Sequence, residues 1–142
     1  MSNLEFGIAW NDSYKLGNEQ VDSQHYQLFK MANNLIRSCV EGGDAEHLLE
    51  TLRGTLDFLV EYTVKHFFDE EVLQVLHNYP DYNKHKQLHE EFKVEVCDLV
   101  KRFEESNSLE DLSDDVNKII VKWLIKHISI EDRKMCKYIM DK

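Results

Sequence analysis

The sequence predicts an all-α protein, an antiparallel up-down four-helix bundle with an N-terminal arm and a short C-terminal helix. Its 142 residues include one proline and five glycines, so few positions would interrupt a helix. Four long segments repeat apolar residues at helical spacing, and the connections between them are short. Neighbouring helices should therefore run antiparallel, within a single domain that covers residues 1–142.

Each predicted helix carries an apolar stripe in which residues recur at i, i+3, i+4 and i+7. The stripes place the four helices at residues 19–41, about 45–76, about 80–105 and about 114–128. A last short helical segment is expected at 131–140. Residues 1–18 lack a sustained period, so they are expected to form an arm anchored on the bundle by Trp10 and Tyr14.

The connections contain residues that end or start helices. Gly42-Gly43 should end the first helix, and Asp44 can cap the second. Tyr79-Pro80 should separate the second helix from the third. The polar connection SNSLEDLSDD before the fourth helix offers two caps, Ser108 and Ser113.

Charge and cysteine content narrow the class of protein. A net charge of −10, with no separate cluster of lysine and arginine, disfavours nucleic acid and anionic membranes as partners. The three cysteines form no C-x-x-C pair, and the first residues show no secretory signal, so reduced thiols and a cytoplasmic location are expected. No segment is apolar enough to span a membrane. No apolar patch is evident from the pattern, so a monomer is the default expectation.

Two pairs of metal-type donors lie on either side of the second connection. One pair is His66-x-x-x-Glu70 and the other is His85-x-x-x-His89. A spacing of four residues brings both side chains of a pair onto one face of a helix. Because the two helices should be antiparallel and face each other, the four donors are expected to converge.

Five of the seven histidines lie on predicted core stripes: His25, His66, His85, His89 and His127. One such histidine is more often a hydrogen-bonded core residue than a ligand. Burying five imidazoles and Glu70 without partners would cost on the order of 1–3 kcal/mol each, so bound metal ions are the expected compensation. Asp132 follows the last of these histidines by five residues, about 140° around an ideal helix, and joins the set if the helix breaks near 128–130. His47 and His77 are expected to lie outside the site.

Four motifs resemble those of the hemerythrin family, and the resemblance covers nearly the whole chain. They are Val21-Asp-Ser-Gln-His25-x-x-Leu-Phe29, His66-Phe-x-x-Glu-Glu71, Tyr79-Pro-x-x-x-x-His85-Lys-x-x-His89 and Trp123-Leu-x-x-His127-Ile-x-x-x-Asp132. The resemblance implies a non-haem di-iron site, bridged by an oxo or hydroxo group, inside an antiparallel bundle. It implies these ligands: His85, His89 and His127 on one iron, His25 and His66 on the other, and Glu70 and Asp132 between them. The second iron would keep an open coordination position, where dioxygen would bind.

Five apolar residues on the ligand-bearing faces also match pocket positions of the family. They are Leu28, Phe67, Trp123, Leu124 and Ile128. The same residues would equally suit a plain core. Two positions depart from the family pattern: Met135 stands where a tyrosine is common, and Gln74 stands where a methionine is common.

The expected function is reversible binding of dioxygen, for storage, delivery or sensing, by a protein that is not an enzyme. A di-iron oxidase or peroxidase of the ferritin-like type is the first alternative, but its two Glu-x-x-His motifs are absent from the sequence. A sensor of dioxygen, nitric oxide or redox state would act through a separate protein partner. A structural bundle with zinc or without metal is the last alternative.

Overall fold

The structure is a computed structural model that describes residue 10 and residues 12–41 and 45–141, with side chains at all of these except 45–47. Three helices, α1 (Glu19–Glu41), α2 (Ala45–Leu76) and α3 (Tyr82–Ser106), precede a fourth. The described residues contain no strand, so the predicted all-α class is confirmed. No helix in this part of the chain is both long and apolar enough to cross a membrane.

The four helices form a bundle in which each one has two neighbours. α1 packs against α2 and against the fourth helix, and α3 completes the ring by packing against the same two helices. The buried centre is filled by large side chains from all of them, including Phe29, Leu35, Phe67, Phe92 and Leu124. The predicted up-down four-helix bundle is therefore confirmed.

The arm is anchored by the two aromatic residues that the sequence indicated. Tyr14 ends a single 3₁₀ turn, Asp12–Tyr14, and is buried. Its ring centroid lies 5.3 Å from that of Phe29 in α1, and the Trp10 centroid lies 5.6 Å from the same ring. Residues 1–9 and 11 of the arm, and the predicted stop at Gly42-Gly43 with its cap Asp44, lie outside the described residues.

An asparagine in the left-handed conformation lies in the connection before α3, and another lies in the connection after it. Asn78 has φ 54° between α2 and α3, and Asn107 has φ 53° after α3. The Asn107 N–H donates to the carbonyl of Phe103, which satisfies one of the last carbonyls of the helix. Asparagine tolerates this conformation better than most residues, so it can end a helix where glycine is absent.

The fourth helix begins earlier than predicted, at Leu109 rather than near residue 114. Ser108 is its N-cap, and the Ser108 hydroxyl accepts a hydrogen bond of 3.2 Å from the backbone N–H of Asp111. Ser113, the other predicted cap, lies inside the helix. The polar composition of the segment hid a capped first turn.

The fourth helix also continues without the predicted break near 128–130, which is a correction. Its segments are, in order, Leu109–Asp115, Val116–Val121, Lys122–Lys126, His127–Asp132 and Arg133–Met140. The second and fourth segments are π-helical, and the Arg133 N–H accordingly donates to the carbonyl of Ile128, five residues earlier. The predicted C-terminal helical piece is present as Arg133–Met140, joined directly to the π-helical segment before it.

Candidate metal centre

Seven buried polar side chains meet inside the bundle, and every helix contributes at least one. They are His25 from α1, His66 and Glu70 from α2, His85 and His89 from α3, and His127 and Asp132 from the fourth helix. None is more than 4% exposed. His77 lies just beyond the end of α2, outside this cluster, and the side chain of His47 is outside the described residues.

The donor atoms form two sets that share both carboxylates. A five-donor set comprises Glu70, His85, His89, His127 and Asp132, and a four-donor set comprises His25, His66, Glu70 and Asp132. Within each set, all donor atoms lie within 4.8 Å of one another. The sequence-predicted site residues are thus all brought together.

Glu70 directs one oxygen to each set. Its Oε2 lies 2.9 Å from His66 Nε2 and 3.1 Å from His25 Nε2. Its Oε1 lies 3.2 Å from His89 Nε2 and 3.4 Å from His85 Nε2. This carboxylate is therefore placed to link two ions.

Asp132 likewise directs one oxygen to each donor set. Its Oδ2 lies 2.9 Å from His25 Nε2, whereas its Oδ1 lies 3.0 Å from His85 Nε2 and 3.2 Å from His127 Nε2. The π-helical segment explains how Asp132 reaches the cluster. Its hydrogen bonds close five residues apart, so Asp132 and His127 return to nearly the same face of the helix.

The spacing of the donors fits a metal ion better than it fits a hydrogen-bond network. His127 Nε2 lies 3.0 Å from His85 Nε2 and 3.1 Å from His89 Nε2. Two nitrogens about 2.1 Å from one ion, at a right angle, would be about 3.0 Å apart. Three imidazole nitrogens lie 2.9–3.2 Å from the Asp132 oxygens, yet among the described residues none has the geometry of a hydrogen bond to either oxygen. The cluster could therefore hold metal.

Without a metal, the carboxylates and imidazoles of the cluster shift one another's pKa values. Burial alone would lower the pKa of His25 and His85, but Asp132 and Glu70 raise the pKa of each imidazole to about 9. Burial alone would likewise raise the pKa of both carboxyl groups, yet the surrounding histidines hold those pKa values below their usual range. A metal ion would thus replace protons at this site.

Comparison with known proteins agrees with this geometry. Residues 16–139 match the family model described as "Hemerythrin HHE cation binding domain". The chain belongs to the hemerythrin family. It is 30% identical over 132 residues to a bacteriohemerythrin of Stenotrophomonas maltophilia (strain R551-3), which covers 89% of this chain and 77% of that protein. It is also 32% identical over 128 residues to a myohemerythrin of Riftia pachyptila, which covers 89% of this chain and 88% of the relative.

A third hemerythrin relative, the bacteriohemerythrin of Methylococcus capsulatus (strain ATCC 33009 / NCIMB 11132 / Bath), is 30% identical over 112 residues. That match covers 79% of this chain and 80% of the relative. The family recognised from four short motifs in the sequence is therefore confirmed.

One hydrogen-bonded chain of side chains fixes the tautomer of His66. Lys65 Nζ donates to Asp69 Oδ2 over 2.8 Å, and Gln24 Nε2 donates to the same oxygen over 2.8 Å. Because a carboxylate only accepts, the Gln24 amide must turn its Oε1 towards His66 Nδ1, 2.6 Å away. That nitrogen then carries the hydrogen, and the lone pair of His66 Nε2 is left for a metal ion.

A second acceptor does the same for His89. Its Nδ1 donates to Glu71 Oε2 over 2.9 Å, so the lone pair of His89 Nε2 also faces the cluster. Sequence reasoning assigned no role to Glu71 or Gln24. Both stand directly beside a predicted ligand in the motifs, but their partners depend on how neighbouring helices face each other.

Most of the predicted pocket residues are buried in the bundle. Leu28, Phe67, Leu124 and Ile128 are buried, and Trp123 is half-buried. The Phe67 ring stacks on His89 with centroids 3.8 Å apart, and Trp123 stacks on His127 with centroids 4.2 Å apart. These aromatic rings hold two imidazoles of the five-donor set in place.

The two departures from the hemerythrin pattern contact each other. Gln74 and Met135 are fully buried, one turn beyond Glu70 and Asp132 respectively. Gln74 Nε2 donates to Met135 Sδ over 2.9 Å. The two positions therefore form a buried, packed pair one turn from the carboxylates.

Proposed function

We propose that the cluster holds two non-haem iron ions and that the protein binds dioxygen reversibly, for storage, delivery or sensing. The observation that carries this proposal is the sharing of Glu70 and Asp132 between two donor sets. A structural zinc site needs only four donors, whereas seven residues in two overlapping sets suit a pair of ions. The names bacteriohemerythrin and myohemerythrin of the relatives support the same choice.

The two ions would have unequal ligation. His85, His89 and His127, with one oxygen from each carboxylate, give one ion five donors. His25 and His66, with the other two oxygens, give the second ion four. An external ligand such as dioxygen would therefore bind more readily at the four-donor ion.

The composition of the donor set favours binding of dioxygen over oxidation of a substrate. If bound here, two ferrous ions would supply the electrons for reversible binding of dioxygen. This cluster offers five imidazoles, which add no charge when they bind a metal, and two carboxylates, whereas the ferritin-like sites use four glutamates and two histidines. Because fewer negative charges stabilise highly oxidised iron less well, we propose that the protein is a carrier or sensor and not an enzyme.

The residues around the ions would keep water away. Leu28 and Ile128 are fully buried, and Leu124 is 2% exposed. Apolar side chains at these places offer no proton to a bound ligand and leave little room for solvent. We expect this exclusion to slow the irreversible oxidation of the iron. The cytoplasmic location stays a prediction.

The proposal is tested by loading the metal-free protein with Fe(II) without air and then cycling dioxygen. We expect two irons per chain and a visible charge-transfer band that appears with dioxygen and disappears when dioxygen is removed. Zn(II)-loaded protein is the control and should show no band. Immediate conversion to a stable ferric protein, with no oxygen-dependent band, would contradict reversible binding.

A further inference from the structure

Two ligand histidines have hydrogen-bond acceptors of different charge at their outer nitrogens. His66 belongs to the four-donor set and donates to the neutral amide of Gln24. His89 belongs to the five-donor set and donates to the carboxylate of Glu71. The two donor sets therefore differ in the charge of these hydrogen-bond acceptors as well as in the number of their donors.

The neutral acceptor is held in place by its own partners. Gln24 bonds to Asp69, and the charge of Asp69 is balanced by Lys65, whose side chain is 68% exposed. The negative charge on this side is thus one side chain further from the imidazole and is partly neutralised. On the other side, the carboxylate of Glu71 bonds directly to His89 and is only 12% exposed.

We propose that Gln24 and Glu71 are positioning residues that make the two metal positions unequal; this inference rests on the proposed function. A carboxylate that accepts the outer N–H of an imidazole makes its other nitrogen a stronger electron donor to a metal. Glu71 therefore strengthens the bond of His89 to the ion of the five-donor set. Gln24 fixes the ring of His66 without making its other nitrogen a stronger electron donor. The ion of the four-donor set, where dioxygen would bind, is therefore held more weakly, and its ferrous form is favoured.

The charge can be moved without changing the net charge. In the double variant Gln24→Glu/Asp69→Asn, the carboxylate comes to lie directly on His66, and the new amide at position 69 can still donate to it. Glu71→Gln removes the carboxylate from His89. Gln87→Glu and Glu91→Gln are the matched controls, because these two residues form a hydrogen-bonded pair on the exposed surface of α3.

The measurement is a titration of the metal-free protein with Co²⁺, followed by visible absorption and fitted to two stepwise dissociation constants. We expect Glu71→Gln to weaken the tighter site about 10- to 100-fold and the double variant to tighten the weaker site about tenfold. Each change should leave the other constant nearly unaltered, and the controls should match the parent protein. A role limited to folding would instead shift both constants together.

The outcomes separate this inference from the proposed function. If every variant binds two ions with the dissociation constants of the parent protein, the inference is overturned but the two-ion site stands. Equal shifts of both dissociation constants would have the same consequence. A parent protein that binds fewer than two Co²⁺ ions would overturn the inference and the two-ion site as well. Circular dichroism of each metal-free variant verifies that the comparison is made between folded proteins.

Discussion

Truncation of Leu124 to alanine separates the loss of packing from the loss of water exclusion. Leu124 is 2% exposed and lies three residues before His127, on the same face of the fourth helix. Leu112 is equally buried in the first segment of that helix and lies far along the chain from the ligands. The same substitution at Leu112 is therefore a matched control for packing.

The expected loss of stability is similar for both variants. Three carbon atoms leave the core, which costs about 2.4 kcal/mol of transfer free energy, and the cavity brings the total to about 3 kcal/mol. Of the two cavities, the one at Leu124 opens beside a proposed ligand, because Leu124 precedes His127 by three residues on the same helix face. A water molecule that enters there would lie near the iron. A new hydrogen bond of about 1.4 kcal/mol would then speed the irreversible oxidation of iron about tenfold.

Two assays distinguish these effects. Urea denaturation of the metal-free proteins measures the free energy of unfolding, which should fall by about 3 kcal/mol in both variants. The decay of the oxygen-dependent band in air measures oxidation of the iron, which should be faster for Leu124→Ala alone. Equal decay rates in the two variants would refute the assignment of Leu124 to a water-excluding pocket.

Three further predictions follow from the caps, the protons and the shared carboxylates. Ser108→Ala should lower the free energy of unfolding by about 1 kcal/mol in urea denaturation, whereas Ser113→Ala, inside the same helix, should be close to neutral. Because the pKa values of His25 and His85 are about 9 without metal, binding of metal at pH 7 should release about two protons from them, and the affinity for metal should fall as the pH falls below 9. Calorimetry in buffers of different ionisation enthalpy measures this proton release. A heat of binding that does not depend on the buffer would contradict it. Asp132→Asn should reduce the iron content from two ions per chain towards one by elemental analysis, because this residue belongs to both donor sets; an unchanged content would argue against bridging.

The helices and most of the cluster were predictable because they follow from simple periods. The bounds of α1 and α2 match the apolar stripes at 19–41 and 45–76. His66 with Glu70 and His85 with His89 share faces by the four-residue spacing alone, and each pair lies in the cluster. A helical period and a spacing are local properties, so one sequence suffices to recognise them.

The start of the fourth helix was missed although a signal was present. The polar connection contains Ser108-x-x-Asp111, a serine with an acid three residues later, which is typical of a capped helix start. Leu112 and Val116 continue the buried stripe from there. Their small number among charged residues concealed the amphipathic pattern.

The route by which Asp132 reaches the cluster was not predictable from local rules. The segment His127–Asp132 contains neither proline nor glycine, and nothing in its composition indicates π-helical hydrogen bonding. This conformation depends on packing in the bundle, where the Asp132 carboxylate lies beside three histidines from different parts of the chain. The roles of Gln24 and Glu71 escaped for the same reason, since both depend on contacts between helices.

The most direct test of the two-ion site is anomalous diffraction at the iron edge from crystals of the iron-loaded protein. We predict two peaks per chain, about 3.5–4 Å apart, each about 2.0–2.2 Å from one oxygen of Glu70 and one oxygen of Asp132. His85, His89 and His127 should contact one peak, and His25 and His66 the other. A single peak, or two peaks that do not share both carboxylates, would contradict the account.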